Sequence, residues 1–144
     1  MINFKHTGIY VHDIEIISNF YQNCFGLIPV CEKYLDTGYL YEQLFGVDSK
    51  VIITKLITEY GKTTGQGEMI EFIQVIEGTK SNFIKRRVHD FGLSHISLGV
   101  DDIDKTVSLV KKHSGKQVTD IISIGNRKCC FCSDPESNVI ELIE

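Results

Sequence analysis

An internal repeat is the feature that most constrains how this chain can fold. Residues 6–26 and 95–115 align without a gap, so that His6 falls on His95. A second match closes each half, with MIEFIQ around Glu71 aligning to VIELIE around Glu141. Other aligned pairs are Val11 with Val100, Asp13 with Asp102, Ile14 with Ile103 and Gly26 with Gly115. The repeat therefore predicts two copies of one module, each with a histidine early and a glutamate late.

Each copy begins with the same predicted strand and helix. Residues 6–11 and 95–100 are short β-rich runs, and the second alternates between apolar and small or polar side chains. Asp13 and Asp102 are predicted N-caps, because their carboxylates can accept free backbone N–H groups. Apolar residues then recur at helical spacing in both copies. Gly26 and Gly115 are predicted to end the helices in the left-handed conformation.

The rest of each copy reads as further strands. We predict strands at 38–44, 50–58 and 69–76, a turn-rich connection at 60–68, and strands at 117–123, 127–132 and 138–143. The expected fold is α+β, with two paired βαβββ modules forming a cupped, mainly antiparallel sheet around a metal site. The expected boundaries are 1–77 for the N-terminal module, 78–92 for a linker and 93–144 for the C-terminal module, together one domain. Lys85, Arg86 and Arg87 in the linker form either a solvated face or a clamp for an anionic substrate.

The two His–Glu couples are the candidate functional residues. His6, Glu71, His95 and Glu141 occupy equivalent strand positions, so pseudo-twofold symmetry can bring all four to one centre. Two carboxylates in one hollow are costly to bury without a cation between them. Imidazole and carboxylate ligands suit one divalent ion, namely Zn, Ni, Co, Fe or Mn. The other histidines, His12, His89 and His113, are not equivalent to these and are expected on the surface or in the linker, with a position of His89 beside the site as the alternative.

Composition narrows the class of protein. A net charge of −4 argues against a nucleic-acid partner, and no run approaches the ~20 apolar residues of a membrane span. The amino terminus shows no secretion signal, so a cytoplasmic protein is expected. The five cysteines are odd in number and three of them lie within four residues of one predicted strand, so we expect them to be reduced and to pack as small apolar side chains. A redox role for Cys132 near the site is the alternative.

The motifs also resemble a known family. H-x-G-I-x-V-x-D-I from His6, G-L-S-H-I-S-L-G-V-D-D-I-D around His95, and F-x-S-D-P-E-S-N-V-I-E-L-I-E around Glu141 are similar to the vicinal oxygen chelate superfamily. That superfamily contains glyoxalase I, methylmalonyl-CoA epimerase, extradiol dioxygenases and fosfomycin- or bleomycin-resistance proteins. The resemblance implies paired βαβββ modules, a metal in the cupped sheet and a homodimer.

The ligand set implied by the resemblance is nearest to the glyoxalase I and epimerase branch. His6, Glu71, His95 and Glu141 resemble the His-Glu-His-Glu set of bacterial glyoxalase I, whereas the epimerases usually carry Gln at the place of Glu71. The two positions where that glyoxalase pattern has an arginine and an asparagine for glutathione are Tyr10 and Val75 here. The resemblance therefore extends to the metal centre and not to the thiol cofactor.

The predicted chemistry is proton transfer on a small oxygenated substrate. A divalent ion polarises a carbonyl and stabilises an enediolate or enolate, while Glu141 or Glu71 moves the proton, which gives a lyase or isomerase. We favour Glu141 as the base, with Glu71 almost equivalent by symmetry. The alternatives are a ligand-binding or resistance protein that bears the metal site, and a non-heme iron dioxygenase. The fourth acidic ligand disfavours the dioxygenase, because it fills a position that oxygen needs.

Overall fold

The computed structural model describes residues 2–65, 67–78 and 89–144. The chain divides into two compact units, residues 1–22 with 26–82, and residues 23–25 with 83–144. Strands β1–β4 form the sheet of the first unit, and β5–β9 form that of the second. The fold class is α+β, as predicted, and each sheet is described below by itself. The predicted module boundaries stay predictions, and Lys85, Arg86 and Arg87 lie outside the described residues.

The first unit has the predicted strand–helix start and a four-stranded sheet in the order β1-β4-β3-β2. Its strand β1 runs parallel to β4, and the other neighbours are antiparallel. Its elements are β1 (His6–Tyr10), α1 (Ile14–Phe25), β2 (Ile28–Thr37), α2 (Tyr39–Phe45), β3 (Lys50–Ile57), α3 (Glu59–Thr64) and β4 (Met69–Glu77).

The second unit repeats this topology with a shorter outer edge. Strand β5 runs parallel to β9, β8 is antiparallel to β9, and two short strands, β6 and β7, pair with β8. Its elements are β5 (Ile96–Gly99), α4 (Ile103–Lys112), β6 (Lys116–Gln117), β7 (Ile122–Ile124), β8 (Arg127–Ser133) and β9 (Val139–Ile143). The strand predicted at 117–123 is therefore two fragments, because β6 and β7 are separated by residues 118–121.

One further pair of contacts supports the repeat. The Gln74 side chain accepts a hydrogen bond from the Ile14 N–H at 3.0 Å, and Glu144 accepts one from the Ile103 N–H at 2.7 Å. Gln74 and Glu144 are the last residues of the matched MIEFIQ and VIELIE segments. In both units, then, the strand that carries the candidate glutamate also holds the first turn of the helix.

Both predicted N-caps are confirmed. The Asp13 carboxylate accepts from the N–H groups of Glu15 and Ile16, and the Asp102 carboxylate accepts from the N–H of Lys105. These bonds satisfy donors that the first turn of a helix leaves without an intrahelical partner.

The predicted helix ends differ from one another. Gly26 ends α1 in the left-handed conformation with a φ of 66°, as predicted. The prediction for Gly115 is wrong, because α4 ends two residues earlier and Ser114 takes the left-handed conformation with a φ of 70°. A hydrogen bond from the Gly115 N–H to the Val110 carbonyl closes this end of the helix.

The strand predicted at 38–44 is also wrong, because this segment forms α2. Gly38 precedes the helix, and Gly46 ends it in the left-handed conformation with a φ of 73°. Tyr41 is buried in a cluster with Val51, Ile53 and Ile73. The helix thus places Tyr41 against apolar side chains of β3 and β4. The predicted turn-rich segment at 60–68 likewise contains most of α3.

Each sheet packs one face on its helix. In the first unit the wholly buried Phe72 lies against Tyr21 of α1, with ring centroids 4.9 Å apart. In the second unit Ile140 and Leu142 are wholly buried on the face that α4 covers. Because strand side chains alternate, Glu71 and Glu141 point to the opposite faces. In the described residues no helix is long and apolar enough to cross a membrane.

Candidate functional site

The first His–Glu couple lies on neighbouring parallel strands of the first unit. His6 on β1 places its Nε2 atom 3.2 Å from Oε2 of Glu71 on β4. Strand register explains the contact, since Gly8 pairs with Glu71 and His6 lies two residues earlier on the same face. Gly8 leaves this space open, because a Cβ atom there would lie 3.8 Å from Oε2. The Glu71 side chain is only 13% exposed, so the couple sits in a partly buried hollow.

A lysine is a further charged partner of Glu71, and it was not predicted from the sequence. Lys55 on β3 lies directly across from Glu71 and places its Nζ atom 2.8 Å from Oε1. Both oxygens of Glu71 therefore have a partner. The pairing of β3 with β4 could have revealed this lysine. A strand was predicted at 50–58, but its residues were not aligned with those of the strand that carries Glu71.

The second couple has a different environment. His95 Nε2 lies 3.6 Å from Oε2 of Glu141, and the His95 Nδ1 atom contacts the Ser94 hydroxyl at 2.7 Å. The residue across from Glu141 is Phe131, whose ring packs edge-on against His95 with centroids 5.1 Å apart. The other oxygen of Glu141 accepts a weak hydrogen bond from the Cys129 thiol at 3.4 Å. Within the described residues, Glu141 therefore has no lysine partner comparable to Lys55.

The structure brings the four predicted ligands together as two couples, each within its own unit. Across residues 2–65, 67–78 and 89–144, no three or more His, Cys, Asp or Glu side chains form a group that could hold a metal ion. The donor set nevertheless fits a divalent ion chemically, because each couple supplies one imidazole nitrogen and one partly buried carboxylate. The Nδ1 atom of His95 contacts the Ser94 hydroxyl, and its Nε2 atom faces Glu141. This is the orientation expected of a histidine that binds a metal ion through Nε2. The four-ligand site stays a prediction.

The remaining histidines and the cysteines differ in their surroundings. His12 and His89 are exposed, and His113 is at the end of α4. All five cysteines are free thiols. Cys132 is wholly buried on the α4 side of its sheet, and burial raises its pKa to about 12, so a redox role has no structural support. The cysteine that contacts a candidate ligand is Cys129, whose pKa is raised by burial and by Glu141.

A pocket of about 620 Å³ opens on the face of the first sheet that carries Glu71. We call it the tyrosine pocket, because Tyr10, Tyr34 and Tyr41 line it together with His6, Lys55 and Glu71 at one end and Asp36. Leu40, Leu44, Cys31, Ile53 and Ile73 complete its wall. Every lining residue belongs to the first unit. The pocket was not predicted, because part of its wall comes from α2, which was predicted as a strand.

Two tyrosines of this pocket, Tyr41 and Tyr10, have a raised pKa. Burial, followed by a hydrogen bond to Asp36, raises the pKa of Tyr41 to about 12. Burial and the nearby charge of Glu71 raise the pKa of Tyr10. Tyr10 is one of the two residues that stand where the glutathione-dependent pattern has polar side chains. The other, Val75, packs on the apolar cluster beneath α2.

A family match covers almost the whole chain. Residues 3–142 match the model of the Glyoxalase/Bleomycin resistance protein/Dioxygenase superfamily, so the chain belongs to this superfamily. A search of curated proteins found no match.

Solved structures agree on the fold. A glyoxalase family protein from Bacillus cereus superposes with a TM-score of 0.86 at 21% identity, covering 100% of this chain and 94% of its own. A glyoxylase/bleomycin resistance protein/dioxygenase domain from Frankia sp. EAN1pec has a TM-score of 0.68 at 14% identity, covering 99% and 97%. The fosfomycin resistance protein FosX from Listeria monocytogenes, complexed with Mn(II) and sulfate, has a TM-score of 0.61 at 15% identity, covering 99% and 93%.

Proposed function

We propose that this chain is a metal-dependent lyase or isomerase that transfers a proton on a small oxygenated substrate. The observation that carries the proposal is the pair of partly buried His–Glu couples at repeat-equivalent positions. His6, Glu71, His95 and Glu141 would hold one divalent ion, which supplies polarisation of a substrate carbonyl. The Mn(II) bound by FosX supports a metal in a protein of this fold.

The two glutamates differ in how firmly they are held, and this difference favours Glu141 as the base. Glu71 contacts the Lys55 ammonium at 2.8 Å and His6 at 3.2 Å, so both of its oxygens are held by nitrogen partners. Among the described residues, Glu141 contacts the Cys129 thiol at 3.4 Å and His95 at 3.6 Å. These longer contacts leave the Glu141 carboxylate freer to turn toward a substrate and take its proton. We therefore assign proton transfer to Glu141 and a holding role to Glu71.

The test is metal analysis of gently purified full-length protein, followed by substitution of each glutamate. We expect one divalent ion per chain, with reduced metal content in both Glu71→Gln and Glu141→Gln. Glu32→Gln, which changes an exposed carboxylate on β2, is the matched control and should keep its metal. If neither ligand variant alters the metal content, the ligand assignment is wrong.

Activity is measured as hydrogen–deuterium exchange on a panel of 2-oxo thiohemiacetals and acyl-CoA esters, with fosfomycin added because of FosX. Loss of a general base typically costs about 10²–10⁴-fold in rate, and this loss is expected for Glu141→Gln. Oxygen uptake on a catechol would instead support the iron dioxygenase.

A second candidate function is a ligand-binding or resistance protein. The observation that favours it is Lys55, which gives Glu71 a cationic partner without any metal ion. Metal-free protein that binds its ligand at undiminished affinity would support this candidate over the enzyme. A homodimer, implied by the family resemblance, is also proposed, and sedimentation analysis tests it.

A further inference from the structure

The tyrosine pocket has a second polar feature besides the His6–Lys55–Glu71 end. Asp36 on β2 lines it, and this carboxylate accepts hydrogen bonds from the Thr37 N–H at 2.9 Å and the Tyr41 hydroxyl at 3.1 Å. Both donors are neutral, so neither cancels the negative charge of Asp36. Within the described ranges no lysine or arginine forms an ion pair with Asp36, and Lys55, which also lines the pocket, pairs with Glu71.

Asp36 also has room for another partner. An ionised carboxylate offers about four lone-pair positions, and two protein donors occupy only part of them. The two neutral donors hold the carboxylate in place at the pocket wall. The site therefore presents an oriented negative charge that the described residues leave without a cation.

The surroundings of Asp36 suit an organic cation with an apolar body. Tyrosine rings attract cations through their faces, and three tyrosines line this pocket. Several apolar side chains around it stay half or more exposed, a pattern typical of a surface that a ligand covers. They are Tyr10, Tyr34, Leu40 and Leu44.

The two polar features are separated by the length of a small ring compound. On β3, Val51 pairs with Asp36, and Lys55 is paired with Glu71 four residues farther along. Four residues of strand span roughly 13 Å, which accommodates one ring with a short chain on each side. The wall between them includes Ile53 and Ile73, which are apolar.

We propose that the tyrosine pocket binds a ring-bearing organic amine, with its ammonium group paired to Asp36 and its other end toward Lys55 and Glu71. The claim that this amine is the substrate rests on the proposed function, in which the end of the amine toward Lys55 and Glu71 carries the reacting oxygens. The claim that the pocket binds such an amine needs no metal. Amine binding and the proposed enzyme activity can therefore fail separately.

The test uses three probes that share one apolar body and differ in charge: 4-phenylbutylamine, 4-phenylbutan-1-ol and 4-phenylbutanoate. Each is titrated into full-length, metal-free protein by calorimetry, and amide NMR shifts locate the contact. We expect the amine to bind about tenfold or more tighter than the alcohol, because a charged hydrogen bond is stronger than a neutral one. The carboxylate should bind most weakly, since Asp36 repels it.

Asp36→Asn keeps the shape and an acceptor oxygen but removes the charge. This variant should lose the tenfold preference for the amine while binding the alcohol as before. Asp48→Asn, which changes an exposed carboxylate outside the pocket, should keep the preference.

The proposal is overturned if the carboxylate probe binds as tightly as the amine, or if Asp36→Asn retains the preference. It is also overturned if no probe binds, as when a second copy of the chain covers the pocket mouth. If the amine binds but the purified protein contains no metal, only the proposed enzyme is contradicted. If the protein contains metal that both glutamate variants lose, but the amine is not preferred, only the amine proposal is contradicted.

Discussion

The two modules keep the same pair of candidate ligands but differ in the residue that faces each glutamate. Lys55 lies across from Glu71 in the first sheet, and Phe131 lies across from Glu141 in the second. The lysine forms an ion pair with its glutamate, whereas the phenylalanine packs on His95. Both units thus have a His–Glu couple at equivalent positions. The strand next to the glutamate, β3 in the first unit and β8 in the second, places a cationic side chain across from Glu71 and an aromatic one across from Glu141.

The modules also differ in what surrounds their ligands. The first has a ten-residue β2 and the helix α2, which together build much of the tyrosine pocket. The second has the short strands β6 and β7 at the corresponding edge. The two units therefore surround equivalent His–Glu couples with different secondary-structure elements.

The largest expected effect tests whether the cores of the two units contribute equally to the free energy of unfolding. Phe72 and Leu142 each follow their glutamate by one residue, and both are wholly buried. Phe72→Ala should lower the free energy of unfolding by about 3–5 kcal/mol and Leu142→Ala by about 2–5 kcal/mol, because each leaves a cavity. Chemical denaturation measures both values. The exposed Ile124→Ala should stay within about 0.5 kcal/mol, and a loss below about 1 kcal/mol for either core variant would contradict the burial.

A second prediction exchanges the residues across from the glutamates. Lys55→Met removes the cation that competes for Glu71, so affinity for a divalent ion should rise about tenfold, or about 1.4 kcal/mol. Phe131→Lys introduces a cation opposite Glu141 and should lower that affinity by a similar factor. Metal titration by calorimetry measures both. Lys50→Met is the matched control on the same strand, because Lys50 pairs with Glu77. Equal affinities in all four proteins would show that Lys55 does not distinguish the two modules.

The smallest expected effect concerns the side chains that hold the two helices. Glu144 accepts hydrogen bonds from Lys128 and from the Ile103 N–H, and these lower its pKa from the ordinary value of 4.5. Because the folded pKa is depressed, this stabilisation is fully present above pH 4.5 and is lost as pH falls through the folded pKa. Gln74, its counterpart on β4, does not titrate.

Thermal unfolding at pH 7 and pH 3 measures this difference. Wild type should melt above Glu144→Gln at pH 7, and the gap should narrow at pH 3. Gln74→Glu should give the first helix a pH dependence of the same sign, because the new carboxylate can accept the Ile14 N–H. A gap that stays constant across this range would contradict the assignment.

Much of the fold was predictable from the sequence because the repeat supplies two independent readings of each element. Asp13 and Asp102 marked both helix starts, the strands that carry His6, Glu71 and Glu141 were placed correctly, and His95 lies one residue before β5. Such features depend on local patterns of apolar residues and on capping chemistry, which act over a few neighbouring residues. The family, too, followed from motifs around His95 and Glu141.

Other elements were not predictable because distant parts of the chain decide them. The segment 38–44 has the aromatic and aliphatic content of a strand, yet burial of Tyr41 among Val51, Ile53 and Ile73 makes it a helix. Strand β2 was missed because shifts in its pairing interrupt the alternation, with Lys33 in a positive-φ conformation. At Ser114 the sequence offered a neighbouring glycine, but the last turn of α4 placed the left-handed residue one position earlier.

The sequence by itself determined which residues are candidate ligands, since repetition of a His and a Glu at equivalent positions is visible without coordinates. Tertiary structure alone decided what each ligand touches. Lys55, Phe131 and Cys129 reach the glutamates through cross-strand register, and Asp36 lines the tyrosine pocket beside a helix that the sequence did not predict. The physical reason is that contacts across a sheet depend on pairing between strands distant in sequence, which local patterns do not specify.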